Sequence, residues 1–247
     1  MTARGYIFDY GGTLDTGGCH WGKVIWHAYE RCGVPVSEAQ FREAYVHAER
    51  TLGRQPIIQP DFTFRQTLEK KLHLQIDYLL QNGNLSPLTS HLSPLIPEHS
   101  SPTRSLSSLH SPLLHDLYAR VQSQTALSRE VLLRLKERAP LVLVSNFYGN
   151  IAVVLREFGL DGIFQQIVES AVVGIRKPDP RIFTLGVEAL GLEPGEVVVV
   201  GDSIDKDILP ARQAGCQTVW YQGEGWTDEP VDETIPDRII TNLRQLL

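Results

Sequence analysis

Residues 6–14 read Tyr-Ile-Phe-Asp-Tyr-Gly-Gly-Thr-Leu. A short apolar run delivers one carboxylate, Asp9, into a turn that carries Gly11 and Gly12 and ends in the hydroxyl of Thr13. β-Branched and aromatic residues followed by paired glycines form a strand that stops in a tight turn. At the carboxyl end of a parallel strand, such a turn suits an exposed nucleophile beside a hole of phosphate size. The same residues also suit a plain turn, so the reading depends on the downstream segments.

Three of these complete it. Leu141–Ser145 is Leu-Val-Leu-Val-Ser, a buried type of strand that ends in a hydroxyl. Residues 174–183 read Gly-Ile-Arg-Lys-Pro-Asp-Pro-Arg-Ile-Phe, and Pro178 and Pro180 restrict the backbone around Lys177. Residues 197–207 are four valines followed by Gly-Asp-Ser-Ile-Asp-Lys-Asp. The order is carboxylate, hydroxyl, lysine, acidic pair. These four segments resemble the motifs of the haloacid dehalogenase (HAD) superfamily, over residues 5–16 and 125–220.

From residue 116 onward, helix and strand patterns alternate. The spacing predicts helix 126–138, strand 140–145, helix 149–158, a short strand at 167–173 and helix 180–190. Strand 197–201, helix 205–214, strand 217–221, a last strand at 238–241 and a terminal helix come after them. The strands read as unbroken apolar runs, as in a parallel sheet covered on both faces. The fold expected is α/β, a Rossmann-like parallel sheet core with an inserted α-helical cap domain. Residues 1–15 and 116–247 form the core and 16–115 the insertion, which the resemblance identifies as a cap of the C1 type.

Within the insertion, 21–32, 37–52 and 64–80 carry apolar residues at helical spacing, as in Phe41, Ala44, Tyr45 and Ala48. Ser37 and Gln40 make a capping box for the second of these helices. Residues 81–115 differ, holding nine serines and five prolines with no aromatic residue. Prolines at that density break helices, so a loosely packed, mobile loop is expected there. Eight leucines in the same stretch allow it to be pinned to a surface instead.

The resemblance implies phosphoryl transfer, with Asp9 as nucleophile forming an aspartyl-phosphate. Thr13 and Ser145 then offer hydroxyls to the phosphoryl oxygens, Gly12 and Asn146 line the phosphate turn, and Lys177 supplies positive charge. Mg²⁺ is the expected cofactor, held by Asp9, the carbonyl of Gly11, Asp202 and, further out, Asp207. Asp205 and Arg176 are expected at the surface. The family places a second Asp two residues after the nucleophile as general acid and base, and here that position is Gly11. General acid help is worth ~10²–10⁴-fold, so its loss matters. Asp15 does not occupy the slot. His20, just past the hinge, is the acid candidate, and Trp21 beside it is a candidate substrate contact, while Trp26 fits core packing.

Three readings are open. The leading one is a Mg²⁺-dependent phosphatase of a small phosphorylated metabolite. A second is cleavage of a C–halogen or C–P bond. The dehalogenase pattern places Tyr at the Gly11 position and needs no metal; the phosphonatase pattern places a small residue there and uses a cap lysine, for which Lys23 is the nearest candidate. The third is a degenerate HAD fold kept for binding or regulation. A net charge of −6 without a basic stretch argues against nucleic acid as partner. No apolar run approaches the ~20 residues of a membrane span, and a strand starting at Tyr6 leaves no room for a signal peptide. Cys19, Cys32 and Cys216 form no CxxC pair, so unpaired thiols and a cytoplasmic location are expected.

Overall fold

The computed structural model describes residues 3–83, 85, 103–227 and 229–247. Among the described residues, six strands form one sheet in the order β3-β2-β1-β4-β5-β6, with every neighbouring pair parallel. They are β1 (Gly5–Phe8), β2 (Leu141–Ser145), β3 (Gln166–Glu169), β4 (Val197–Gly201), β5 (Gln217–Tyr221) and β6 (Arg238–Ile240). The chain runs outward from β1 to β2 and β3 and then returns to the other side of β1 at β4. That reversal opens a crevice at the carboxyl end of β1, where α/β sheets bind ligands. Phe8 pairs with both Leu143 and Val200, so Asp9 emerges between the ends of β2 and β4.

Alternation along the strands feeds two apolar layers. Phe8, Leu141, Leu143, Val198 and Val200 pack on one face, and Ile7, Val142, Val144, Val197 and Val199 on the other. The second face is covered by α7 (Arg181–Leu190) through Ile182, Phe183 and Val187. The first meets the helical insertion between β1 and β2: α1 (Trp21–Arg31), α2 (Glu38–Arg54), α3 (Phe64–Gln81) and α4 (Thr103–Lys136). The Ser37/Gln40 capping box is present at the start of α2, and Thr63/Gln66 forms another at α3. Trp26 packs on Phe41, as core residues do. Trp226, in the loop after β5, ties the insertion to the sheet: Arg42 donates to its carbonyl at 2.7 Å and stacks on its ring at 4.1 Å.

Several boundaries differ from expectation. The pattern at 167–173 resolves into β3 and one helical turn, α6 (Ser170–Val173). β3 is an edge strand whose sole neighbour among the described residues, β2, ends where Ser145 pairs with Glu169, so the residues beyond have no described strand to pair with. Helix 149–158 shortens to α5 (Ile151–Glu157). Helix 205–214 becomes a wide turn at Ile204–Ile208 followed by α8 (Leu209–Gln213). The terminal helix is a single turn, Leu243–Leu246.

The helix expected at 126–138 instead starts at Thr103 and passes through Pro112. An interior proline costs ~3 kcal/mol. Leu113, Leu114 and Leu117 are buried in the main core, and at ~1.5–3 kcal/mol each that burial outweighs the break. A division at 115/116 therefore falls inside one helix, which packs on α1, α3 and the closing turn. Within 81–115, the stretch expected to be a mobile loop lies at 84 and 86–102 outside the described residues. Of the described parts, Gln81 ends α3 and residues from Thr103 onward belong to α4.

Candidate active site

The ends of three strands, β1, β2 and β4, and the loop that carries Lys177 converge at Asp9, which is 5% exposed. The Asp9 amide donates to Val200 O at 3.0 Å, which keeps the residue against β4. Its Oδ1 accepts from Lys177 Nζ at 2.5 Å and from Ser145 Oγ at 3.2 Å. Its Oδ2 accepts from Thr13 Oγ1 at 3.3 Å, and the same hydroxyl lies 2.9 Å from Asp202 Oδ1. Lys177 also donates to Asp207 Oδ1 at 2.6 Å, while Asp207 Oδ2 accepts from the Ser203 amide at 3.1 Å. The wide turn at Ile204–Ile208 sets Asp207 against Gly201, where a Cβ would lie 2.3 Å from that of Asp207. Asp205 faces solvent.

Asn146 holds the lysine loop. Its Nδ2 donates to Lys177 O at 3.0 Å and its Oδ1 accepts from Lys177 N at 2.9 Å. Gly12 sits at φ 102° with its α-carbon against Asp202; a Cβ there would lie 2.4 Å from the carboxylate oxygens. No larger residue fits that turn. Gly11 is different. Its φ lies outside the left-handed region, and among the described residues a Cβ would meet only Trp21, at 3.8 Å.

Asp9, Asp202 and Asp207 bring ligand oxygens within 4.8 Å of one another. Burial pushes the Asp9 carboxyl up to about 6; Lys177 opposes this and Asp207 adds to it. Burial, then Asp207 and Asp9, hold the Asp202 carboxyl well above its usual range. Burial opposes the charge on Lys177, but Asp207 and Asp9 more than offset it and raise its pKa. Three carboxylates around one ammonium leave an excess of negative charge that a cation would relieve. Lys177→Met should strand Asp9 and Asp207 as buried, unpaired carboxylates and lower stability by about 3–5 kcal/mol. Urea unfolding at pH 7.5 without divalent metal reads this loss, and it should shrink as pH falls below about 6, where Asp9 takes a proton. An unchanged midpoint would mean the lysine contributes nothing to holding the pair.

A pocket of about 170 Å³ opens over Asp9. Its floor includes Gly11, Ser145, Asn146, Lys177, Asp202 and Asp207, and its roof comes from the insertion. His20 and Trp21 line it, and so does Arg176, which is exposed. His20 caps α1, its Nδ1 accepting from the Gly22 amide at 3.0 Å. Burial lowers its pKa to about 4, with the Lys206 charge adding to that, so it is a neutral imidazole at physiological pH. Lys23 is not a solvated lysine at the pocket. It is buried, pairs with Glu38 at 3.2 Å and Glu224 at 3.9 Å, and is not among the pocket-lining residues.

Two features escaped the sequence reading. Asp15 is 2% exposed and lines the pocket. Its Oδ1 accepts from the Gly12 amide at 2.7 Å and its Oδ2 from Trp21 Nε1 at 3.0 Å. The second is an ion pair between Lys71 Nζ on α3 and Glu49 Oε1 on α2, 2.7 Å apart. Tyr148 donates to Glu49 Oε2 at 3.3 Å. Burial opposes the charge on Lys71, but Glu49, Tyr148 and Tyr45 hold its pKa above the usual lysine value. A signal for Lys71 exists in the sequence: Phe64, Thr67, Leu68 and Lys71 follow helical spacing, so the lysine sits on the apolar stripe.

Residues 3–215 match the family model described as haloacid dehalogenase-like hydrolase. The glyceraldehyde 3-phosphate phosphatase of Methanopyrus kandleri is 40% identical over 95 residues, covering 38% of this chain and 41% of that protein. The phosphoserine phosphatase of Thermus thermophilus is 39% identical over 88 residues, covering 36% and 34%. The chain thus spans well under half the length of these curated relatives. The HAD-hydrolase YfnB of Bacillus subtilis, solved bound to magnesium, superposes with a TM-score of 0.57 at 17% identity over 100% of this chain and 97% of that one.

Proposed function

The chain belongs to the haloacid dehalogenase-like hydrolase family, and on that premise we propose that it is a phosphatase of small phosphorylated metabolites working through Asp9. One observation carries the proposal: the Asp9 carboxylate stands at the sheet's switch point, within hydrogen-bond reach of Ser145, Thr13 and Lys177, under a pocket of small-molecule size. The similarity to phosphatases named for glyceraldehyde 3-phosphate and phosphoserine supports the same substrate class.

In this reading an Asp9 oxygen attacks phosphorus as the ester oxygen departs. The bond that forms is the acyl phosphate, and water later releases phosphate and regenerates the carboxylate. Lys177, Ser145 and Thr13 now share their donors with Asp9 and Asp202, and they are placed to turn them toward phosphoryl oxygens as charge develops. Lys71 and Glu49 face the leaving group from the insertion and would select it by charge. α1–α3 and the leading part of α4 act as cap over a core made of residues 1–15, the rest of α4 and the chain from β2 onward.

The donor set fits Mg²⁺. It is all oxygen and carries more negative charge than Lys177 balances. Asp9 and Asp202 would hold the ion with the Gly11 carbonyl, and Asp207, occupied by Lys177 and the Ser203 amide, would support from behind. Bound there, Mg²⁺ would neutralise phosphoryl charge and let a carboxylate approach an anionic ester.

The test is hydrolysis of p-nitrophenyl phosphate and acetyl phosphate, with and without Mg²⁺. Turnover that EDTA abolishes and Mg²⁺ restores is expected. No turnover with any divalent metal would hand the site to the binding or regulatory reading.

A further inference from the structure

Gly11 has no proton to give, so a phosphatase built on Asp9 needs its leaving-group acid from elsewhere, and the search for that acid rests on the phosphatase reading. Three pocket-lining groups with an exchangeable proton are ill suited to the task. His20 is a neutral imidazole whose Nδ1 is committed to the Gly22 amide. Tyr148 is pushed up to about 12 by burial, too weak an acid to help. Lys71 is held charged by Glu49 and its neighbours. Asp15 remains.

Its position favours it. A Cβ built on Gly11 would lie 3.8 Å from Trp21 Nε1, at a φ outside the left-handed region. That indole N–H donates to Asp15 Oδ2 at 3.0 Å. Asp15 therefore presents its carboxyl to the same corner of the pocket that a side chain at position 11 would reach. Its other oxygen is anchored by the Gly12 amide, in the turn that carries Asp9 and Thr13. The group is enclosed by Trp21 above and the phosphate turn below, and it is 2% exposed.

We propose that Asp15 is the general acid and base of this enzyme, supplying from six residues after the nucleophile what Gly11 lacks. As Asp9 forms its bond to phosphorus and the ester P–O bond breaks, the departing oxygen takes the proton from Asp15 Oδ2. In the second step the Asp15 carboxylate takes a proton from water as the water oxygen bonds to phosphorus. The Asp9–phosphorus bond then breaks, and Asp15 is again a carboxylic acid. Burial, joined by the nearby Asp9 charge and opposed by the Gly12 amide and Trp21, raises its pKa to about 7, so both forms are available near neutrality.

The test reads kcat/KM, which ends at formation of the phosphoenzyme, across alkyl and aryl phosphates with Mg²⁺. Asp15→Asn keeps an oxygen for the Gly12 amide. It should lose about 100-fold or more on alkyl phosphates and under about 10-fold on p-nitrophenyl phosphate, since a nitrophenolate leaves without a proton. Adding Gly11→Asp to Asp15→Asn should recover alkyl turnover by about 10-fold or more. Gly11→Asp alone needs no stability from the first variant, and it should leave the alkyl-to-aryl ratio within about 3-fold of wild type. Equal losses on both ester types in Asp15→Asn, or a large alkyl-selective gain from Gly11→Asp alone, would overturn the role of Asp15 while leaving the phosphatase reading intact. Absence of wild-type turnover on every ester would overturn both.

Discussion

Asp9→Asn is expected to remove turnover of p-nitrophenyl phosphate by at least about 10⁴-fold, because an amide cannot form the acyl phosphate through which both steps pass. The substitution is close to isosteric, and the asparagine oxygen can still accept from Lys177 and Ser145. Stability should not fall. Burial raises the Asp9 pKa to about 6, countered by Lys177 and reinforced by Asp207. A raised carboxyl binds its proton more tightly when folded, so its ionisation costs stability as pH climbs through that value. A neutral amide removes the cost. Asp9→Asn should therefore melt at or above wild type at pH 7.5 in EDTA, which separates a chemical loss from an unfolded protein. A variant that keeps a tenth of the activity would end the case for Asp9 as nucleophile.

The second large effect concerns the cation. Asp202→Ala should weaken Mg²⁺ binding by about 100-fold or more by calorimetric titration, since the cluster then falls to two carboxylates, both of them paired with Lys177. Thermal melts give an independent readout. In wild type Mg²⁺ should raise the melting temperature, as a ligand of the folded state does; in Asp202→Ala the increment should vanish at the same concentration. Without metal the sign reverses. Asp202 is held well above its usual range by burial and by Asp207 and Asp9, so the wild-type apoprotein should lose stability as pH rises above the ordinary carboxylate range. The alanine variant should show a flatter profile. Equal Mg²⁺ affinity in the two proteins would remove Asp202 from the metal site.

What the sequence alone determined is the part of this protein that strand and turn chemistry encode locally. Leu141–Ser145 and the four valines before Gly201 read as buried parallel strands, and they are. Parallel strands present their carboxyl ends to one side, so the convergence of Asp9, Ser145, Lys177 and Asp202 is legible from strand order alone. The capping box at Ser37 was legible for a similar reason, because it needs only residues three apart.

Tertiary structure decided the rest. Nothing local says that β3 ends at Glu169; the end of its partner β2 does. Nothing local lets Pro112 sit inside α4; the burial of Leu113, Leu114 and Leu117 does. Lys23 and Lys71 are both lysines on amphipathic helices, yet one pairs with Glu38 at the insertion's flank and the other with Glu49 inside the pocket. That choice depends on how α1, α2 and α3 lie across the strand ends. Asp15 is the sharpest case. Counted along the chain it misses the slot left by Gly11, but the turn at Gly12 and the approach of Trp21 fold its carboxyl back toward that slot. Sequence spacing specifies side-chain position only where the backbone is regular; through a glycine turn roofed by a separate helix, packing specifies it instead.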